Sequence, residues 1–392
     1  MQRSESHPPF PAAPSAVGLA APPSSPALAS LLTVADAQNA VQIALRQAAA
    51  GRLRAAEAIV VAVQEYFPDF FPALLVQAQL KERAGDLAAA VQSYERAIAA
   101  NPGHALAFTR RGIIKLRGHL GSPRAPRAAD ETRPFVAMTN LGANGRFGNQ
   151  LLQYGLVRLY AEKTGAQLRV PDWIGRDLFG YDDPMPGGAR SDSTLGEADI
   201  LAVVAGAETA GRTNVDVSGY FCGDTVAWAA RRADFHRFFA PVQKVRTWAD
   251  AGLKRLKRQG RTLVAMHIRR GDFGQGQFWL APATWYAEWL QRLWPTLEKP
   301  VLFLATDDPS VAAEFQRYGV VTAADLAAPL PGAEFFLDHW VLRHADLLAT
   351  SNSTFSITAA LLNTGPVRCW RPDRAFGGLR DFEPWAENVL LD

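Results

Sequence analysis

The chain has 392 residues, of which 48% are hydrophobic and 20% charged, a balance that supports two or three globular domains and excludes a disordered or fibrous protein. A formal net charge of +3 argues against nucleic acid as the main ligand. The only cysteines, Cys222 and Cys369, exclude a disulfide framework and a cysteine-based metal site, and they suit a reducing compartment.

Residues 1–35 are rich in Pro, Ala and Ser, a composition that buries too little surface to order itself, and they read as a disordered tail. This tail has no basic segment followed by a continuous apolar stretch, so it is a poor secretion signal, and no run of about 18 apolar residues offers a membrane span. A cytoplasmic location is expected. From residue 36 the pattern is helical and repeats: Gly51 matches Gly85, Leu53 matches Leu87, Ala56 matches Ala90 and Pro68 matches Pro102, each pair 34 positions apart. That is the period of tetratricopeptide units, which bind protein partners. Ala90, Tyr94, Ala97 and Pro102 stand at the spacings such units use. A third unit opens near Ala105, places Gly112 at a small-residue position and fades after Gly121. So short an array over 36–121 is expected to pack against the domain after it; a helical hairpin region without true repeats is the alternative.

Residues 122–134 carry prolines and charges and read as a linker. Strand and helix then alternate: strands over 135–139, 167–170, 214–221, 263–268, 301–305 and 366–370, and helices over 149–164, 283–293 and 310–318. Such alternation implies an α/β fold with parallel sheets covered by helices.

Two segments of this region belong together. His267-Ile268-Arg269-Arg270-Gly271-Asp272 ends an apolar run, which puts its arginines at the carboxyl end of a parallel strand, where open α/β sheets bind ligands. Asn352-Ser353-Thr354-Phe355-Ser356 opens a helical run, where free N–H groups and hydroxyls suit phosphate. Arg269 offers a permanent charge and a planar fork that matches phosphate oxygens, with Arg270 in support. A surface ion-pair cluster is the plainer reading of that pair, and ordinary helix capping that of Ser353 and Thr354. Asp272 either orients an arginine or touches substrate, and His267 either meets a nucleotide or is a satisfied core histidine. Gly142, Gly145 and Gly148 permit close backbone approach to a ligand, but their spacing fails both the dinucleotide and the P-loop patterns. No Asp-x-Asp occurs in the chain, so no metal site is expected. Trp285 and Trp289 stand four apart on a helix and suit a core better than a sugar-stacking wall. The basic residues Lys254, Arg255, Lys257, Arg258 and Arg261 form either a solvated helix face or a contact for an anionic membrane surface.

With Gly145-Arg146-Phe147-Gly148-Asn149-Gln150 upstream, these motifs resemble the bacterial α-1,2-fucosyltransferases, glycosyltransferase family eleven, over roughly residues 135–392. Ala305-Thr306-Asp307-Asp308-Pro309 is similar to a run in α-1,6-fucosyltransferases, and Gly-Arg-Phe-Gly-Asn-Gln to one in protein O-fucosyltransferases. The resemblance implies a GT-B-like arrangement of two Rossmann-like halves, about 135–240 and 241–392, preceded by the small all-α repeat region. It implies inverting transfer of L-fucose from GDP-fucose to a galactose-type hydroxyl of a glycan, with no metal or other cofactor. Arg269 would stabilise the leaving β-phosphate. His267, Arg270, Ser353, Thr354 and Phe355 would bind donor, Asp307 would take a guanine edge, and Asn149, otherwise a helix cap, would lie near the reacting sugar. Asp272 is a candidate general base by position alone. Protein O-fucosyl transfer and an inactive scaffold built on the repeats are the alternatives.

Overall fold

A computed structural model describes residues 33–121, 125–187, 191–207, 211–274 and 278–391. Residues 1–32 of the expected tail and 122–124 of the expected linker lie outside the described residues.

The first five helices are α1 (Val34–Ala49), α2 (Leu53–Tyr66), α3 (Phe71–Arg83), α4 (Leu87–Ala100) and α5 (Ala105–Leu120). Thr33 and Asp36 form a capping box at the start of α1, so this helix begins inside the stretch read as tail. Helices α2 and α4 begin and end 34 residues apart, and so do the starts of α3 and α5. Ala56, Val60 and Val63 line the buried stripe of α2, and Ala90, Tyr94 and Ala97 that of α4. Small residues at these positions let adjacent helices approach closely.

Residues 125–134 are not a free spacer. The Arg127 amide donates to Asp182 O at 2.7 Å, the Asp130 amide donates to Gln167 Oε1 at 3.2 Å, and Arg169 pairs with Glu131 at 3.0 Å. The segment is thereby laid along the next domain's edge.

The first α/β half contains β1 (Phe135–Ala137), α6 (Phe147–Thr164), β2 (Gln167–Arg169), α7 (Ile174–Phe179), β3 (Ser193–Leu195), α8 (Glu197–Ala205) and β4 (Val215–Val217). Its four strands are all parallel, in the order β2-β1-β4-β3. A 3₁₀ segment (Thr225–Arg231), α9 (Arg232–Phe238) and α10 (Gln243–Lys257) lead to the second half. That half comprises β5 (Thr262–Ile268), α11 (Ala283–Leu293), β6 (Pro300–Thr306), a 3₁₀ segment (Pro309–Tyr318), α12 (Ala323–Leu326), α13 (Phe336–Leu342), β7 (Leu347–Ala349), α14 (Thr354–Leu361), β8 (Arg368–Asp373) and β9 (Gly378–Phe382). The order is β6-β5-β7-β8-β9, with only β9 antiparallel. The architecture is α/β and GT-B-like, with a helical region in front.

Strand β5 shows why the second sheet forms. Leu263 and Ala265 enter a core shared with the first half, whereas Val264 and Met266 enter a second core on the other face, so the strand is apolar without alternation. The shared core runs from Val136 and Leu151 through Phe303 to Ile357 and Leu361. Trp289 is buried in the second core and Trp285 packs against it, in keeping with a core role.

One expectation needs correction. Residues 310–318 wind as a 3₁₀ segment, because Asp308 accepts from the Ser310 amide two residues on (3.0 Å) and tightens the entry. The two sheets fall within 135–217 and 262–382, and the C-terminal segment ties them together. The chain beyond β9 returns to the first half, where Thr225 Oγ1 donates to Pro384 O (2.9 Å), Asp224 bridges Asn388 and Trp385 stands edge-on to Trp228. Buried Arg371 and Asn352 hold this returning segment. Arg371 donates to Asn388 O (2.7 Å), and Asn352 exchanges two bonds with the backbone of Leu391.

Candidate active site

The carboxyl ends of β6, β5 and β7 are neighbours in the second sheet, and from them start the segments at Asp307, at Arg269 and at Ser353. Where such strands end is where an open parallel sheet presents ligand-binding groups. These segments face the glycine-rich turn before α6 across a cleft of about 630 Å³, ample for a nucleotide sugar.

Arg269 lies across one wall. Its Nη1 pairs with Asp307 Oδ2 at 2.9 Å, its Nη2 donates to Asp272 Oδ1, and its guanidinium stands 5.3 Å from the Phe273 ring centre. A guanidinium carries five N–H donors, so two carboxylate contacts fix the plane of the fork and leave other donors for a ligand. Asp307 is fixed in turn, because its Oδ1 accepts the Arg270 amide at 2.7 Å. Asp307 thus orients Arg269 while itself lining the cleft. Asp272 uses its second oxygen on Arg146, at 3.3 Å. Its place between two arginines matches the orienting alternative.

The second cation of the cleft is therefore Arg146, not Arg270. Arg270 turns its Nη1 onto Arg269 O (3.1 Å) and Ala281 O (2.9 Å), where it ties down the loop before α11 and does not line the cleft. Arg146 lines it, with its guanidinium 4.3 Å from the Phe108 ring centre and Nη2 donating to Pro102 O. Burial, opposed by Asp272 and reinforced by Arg269, holds the Arg146 pKa below the usual arginine range.

Beside Arg269, on the same half, is the start of α14. Ser353 is its N-cap and accepts from the Phe355 amide, while Thr354 and Phe355 line the cleft. Capping and ligand binding are thus not exclusive here: the cap fixes a helix N-terminus that points its free N–H groups at the cleft. Helix α6 begins against the same turn. A Cβ on Gly148 would fall 2.5 Å from Thr354 C and Phe355 N, so the two halves meet backbone on backbone at this glycine. Asn149 sits in the first turn of α6, whose cap position is Arg146. Its amide folds back over Gly145 and borders the cleft, so the capping alternative does not hold. Gly142 lies under Thr109 and Trp173 and does not line the cleft.

One end of the cleft is aromatic. His267 is buried, with its ring 5.1 Å from Phe355 and Nδ1 2.7 Å from Ser351 Oγ. Burial first and Arg269 second push its pKa down to about 3, so it is a neutral hydrogen-bonding group at any physiological pH. Phe335 and His339 also place their rings on Phe355, at 6.3 and 5.2 Å. Between these two on α13 stands Asp338, half-buried and lining the cleft. Burial pushes its pKa up to about 7. Neither Asp338 nor Arg146 is legible as a site residue from sequence, although Arg146 lies within a recognised motif. Among the described residues, no three His, Cys, Asp or Glu side chains converge as metal ligands.

No described protein family and no curated protein matches the sequence. Among solved structures, the chain is similar to the fucosyltransferase NodZ from Bradyrhizobium, at 18% identity and a TM-score of 0.41, covering 64% of this chain and 99% of that one. It is also similar to FUT1 of Arabidopsis thaliana in complex with GDP, at 14% identity and a TM-score of 0.46, covering 66% and 74% of the two chains. A third likeness, to an O-GlcNAc transferase of Thermobaculum terrenum, reaches 85% of this chain and 50% of that one, at 13% identity and a TM-score of 0.23. No described helix is long and apolar enough to cross a membrane.

Proposed function

We propose that the protein transfers L-fucose from GDP-fucose to a hydroxyl of a glycan acceptor. The observation that carries the reading is the convergence of Arg269, oriented by Asp272 and Asp307, with the N-terminus of α14 in one cleft. Together they offer a diphosphate a fixed cationic fork and a row of free N–H groups. The choice of fucose and of GDP rests on the three sequence motifs, all of which face this cleft.

In this reading the diphosphate lies between Arg269 and Thr354, with Arg146 as the second cation. As the bond from the anomeric carbon to the β-phosphate oxygen breaks, charge grows on GDP, and Arg269 and the helix N-terminus stabilise it without reorganising. The acceptor hydroxyl attacks from the opposite face, which inverts the anomeric carbon, and the linkage expected from the motifs is α-1,2 to a galactose-type unit. The arginines do the work a metal ion does in other transferases, so turnover is expected to survive EDTA.

The guanine goes to the aromatic end. Its N1–H and N2–H form an adjacent donor pair that suits a carboxylate, and Asp338, beside Phe335, Phe355 and His267, is that acceptor. The raised pKa of Asp338 also suits a general base, and one variant separates the roles. Asp338→Asn that weakens GDP binding assigns Asp338 to guanine; the same variant with GDP binding intact and turnover lost assigns it to the acceptor hydroxyl.

The helical pairs are proposed as tetratricopeptide-like units. Product analysis with GDP-fucose and paired oligosaccharide and peptide acceptors tests the whole reading. Fucosylated oligosaccharide supports it, fucosylated peptide alone moves the assignment to protein O-fucosyl transfer, and no transfer to either leaves a scaffold.

A further inference from the structure

The last helix of the N-terminal region does not hang beside the α/β domain; it is clamped onto both halves. Toward the first half, α5 sends Arg110 to Asp172 (3.3 Å) and Arg117 to Asp172 (2.6 Å) and Asp177 (2.9 Å), and its Thr109 accepts from Gln150 Nε2 (2.9 Å). Toward the second half, Arg111 and Lys115 both reach Glu334, at 3.5 and 3.4 Å. Between these contacts a Cβ on Gly112 would stand 2.7 Å from Gly332 O, so helix and loop pack backbone to backbone. His104, Phe108 and Arg111 line the cleft itself.

The contact that matters chemically is Phe108. Its ring carries the Arg146 guanidinium at 4.3 Å, and Pro102 O, from the turn before α5, accepts from the same group. Arg146 holds Asp272 at 3.3 Å, and Asp272 holds Arg269. A chain of four side chains thus runs from the helical region to the cation of the active site. Without the ring and the carbonyl, Arg146 would be one more flexible arginine, free to leave Asp272 to Arg269 alone.

We propose that the helical region is a working part of the active site, and that Phe108 is a positioning residue setting Arg146, and through Asp272 Arg269, for the donor diphosphate. The inference rests on the proposed nucleotide-sugar site and adds to it that the helical region is not a detachable recruitment module.

The test is a double-variant cycle on the full chain, read by calorimetric titration with GDP and GDP-fucose. Phe108→Leu is expected to weaken GDP about 3–10-fold, the size of a partly buried cation–ring contact, and Phe108→Trp to keep wild-type affinity. In an Arg146→Ala background, Phe108→Leu is expected to cause no further loss. Equal losses in both backgrounds, or no loss in either, overturn the positioning role while leaving the donor site standing. Phe108→Met replaces the ring by a flexible apolar chain that can fill the gap, and it serves the same cycle if the Leu variant fails to fold. A wild-type protein that binds neither GDP nor GDP-fucose overturns the functional reading and this inference with it.

Discussion

Arg269 is held by two carboxylates, and that makes it a different kind of group from a surface arginine. Replacing it by lysine keeps the charge but loses the fork that Asp272 and Asp307 orient. Arg269→Lys is expected to lower kcat by about 10²-fold and Arg269→Ala by about 10³-fold, with the fold intact by circular dichroism. Asp338 gives a pH signature. Its folded pKa is raised to about 7 by burial, so the stability it contributes is present at acid pH and lost as the pH rises through 7. A guanine donor pair needs the ionised form, so GDP affinity is expected to fall by up to about tenfold per unit below pH 7. Asp338→Asn is expected to flatten both profiles; a wild-type affinity constant from pH 5.5 to 8 would contradict the assignment. Arg269 and Ser353 were legible because each stands at a strand end or helix start that periodicity alone places. Asp338 was not, because an aspartate in the middle of Phe-Leu-Asp-His-Trp reads as the polar face of a short helix. Which of Arg269 and Arg270 meets the cleft was not legible, because adjacent side chains at a strand end point in different directions.

Among the elements, the junction of α6 with α14 is the tightest. A methyl group on Gly148 meets backbone atoms of Thr354 and Phe355, which cannot rotate away as a side chain would. Gly148→Ala is expected to cost about 1–3 kcal/mol in denaturant unfolding, as over-packing does, and to weaken nucleotide binding by displacing the helix start. Unchanged stability would show that the halves do not meet this closely. Helices such as α6 and α11 were legible to within two residues because their periodic runs are long. Strand β3 and strand β7 have three residues each, too few to show a period, and β9 carries Arg380 and Asp381 on an edge, where alternation is weak. The 34-residue spacing located the helical elements best of all, since α2 and α4 begin at Leu53 and Leu87 as the matched pairs require.

For the whole molecule, the shared core and the returning C-terminal segment join what sequence reads as two halves. Residues from β1, α6, β5, β6 and α14 contribute to one continuous apolar cluster. One cooperative thermal transition is therefore expected for both halves by calorimetry, and two well-separated transitions within residues 135–391 would contradict the shared core. Alternation of strand and helix announced the α/β class. It could not announce that residues after Phe382 go back to Thr225, or that α5 reaches the second half, since those contacts lie 162 and 223 residues apart in the chain and leave no local pattern.

Whether this cleft binds a GDP-sugar through Arg269 is decided by calorimetric titration of the purified protein with GDP-fucose, GDP-mannose and UDP-galactose in EDTA, repeated on Arg269→Ala. The expected result is binding of GDP-fucose over UDP-galactose that survives the chelator and is lost in the variant. Equal binding by wild type and variant, or no binding of any of the three, would contradict the assignment of the cleft as a donor site.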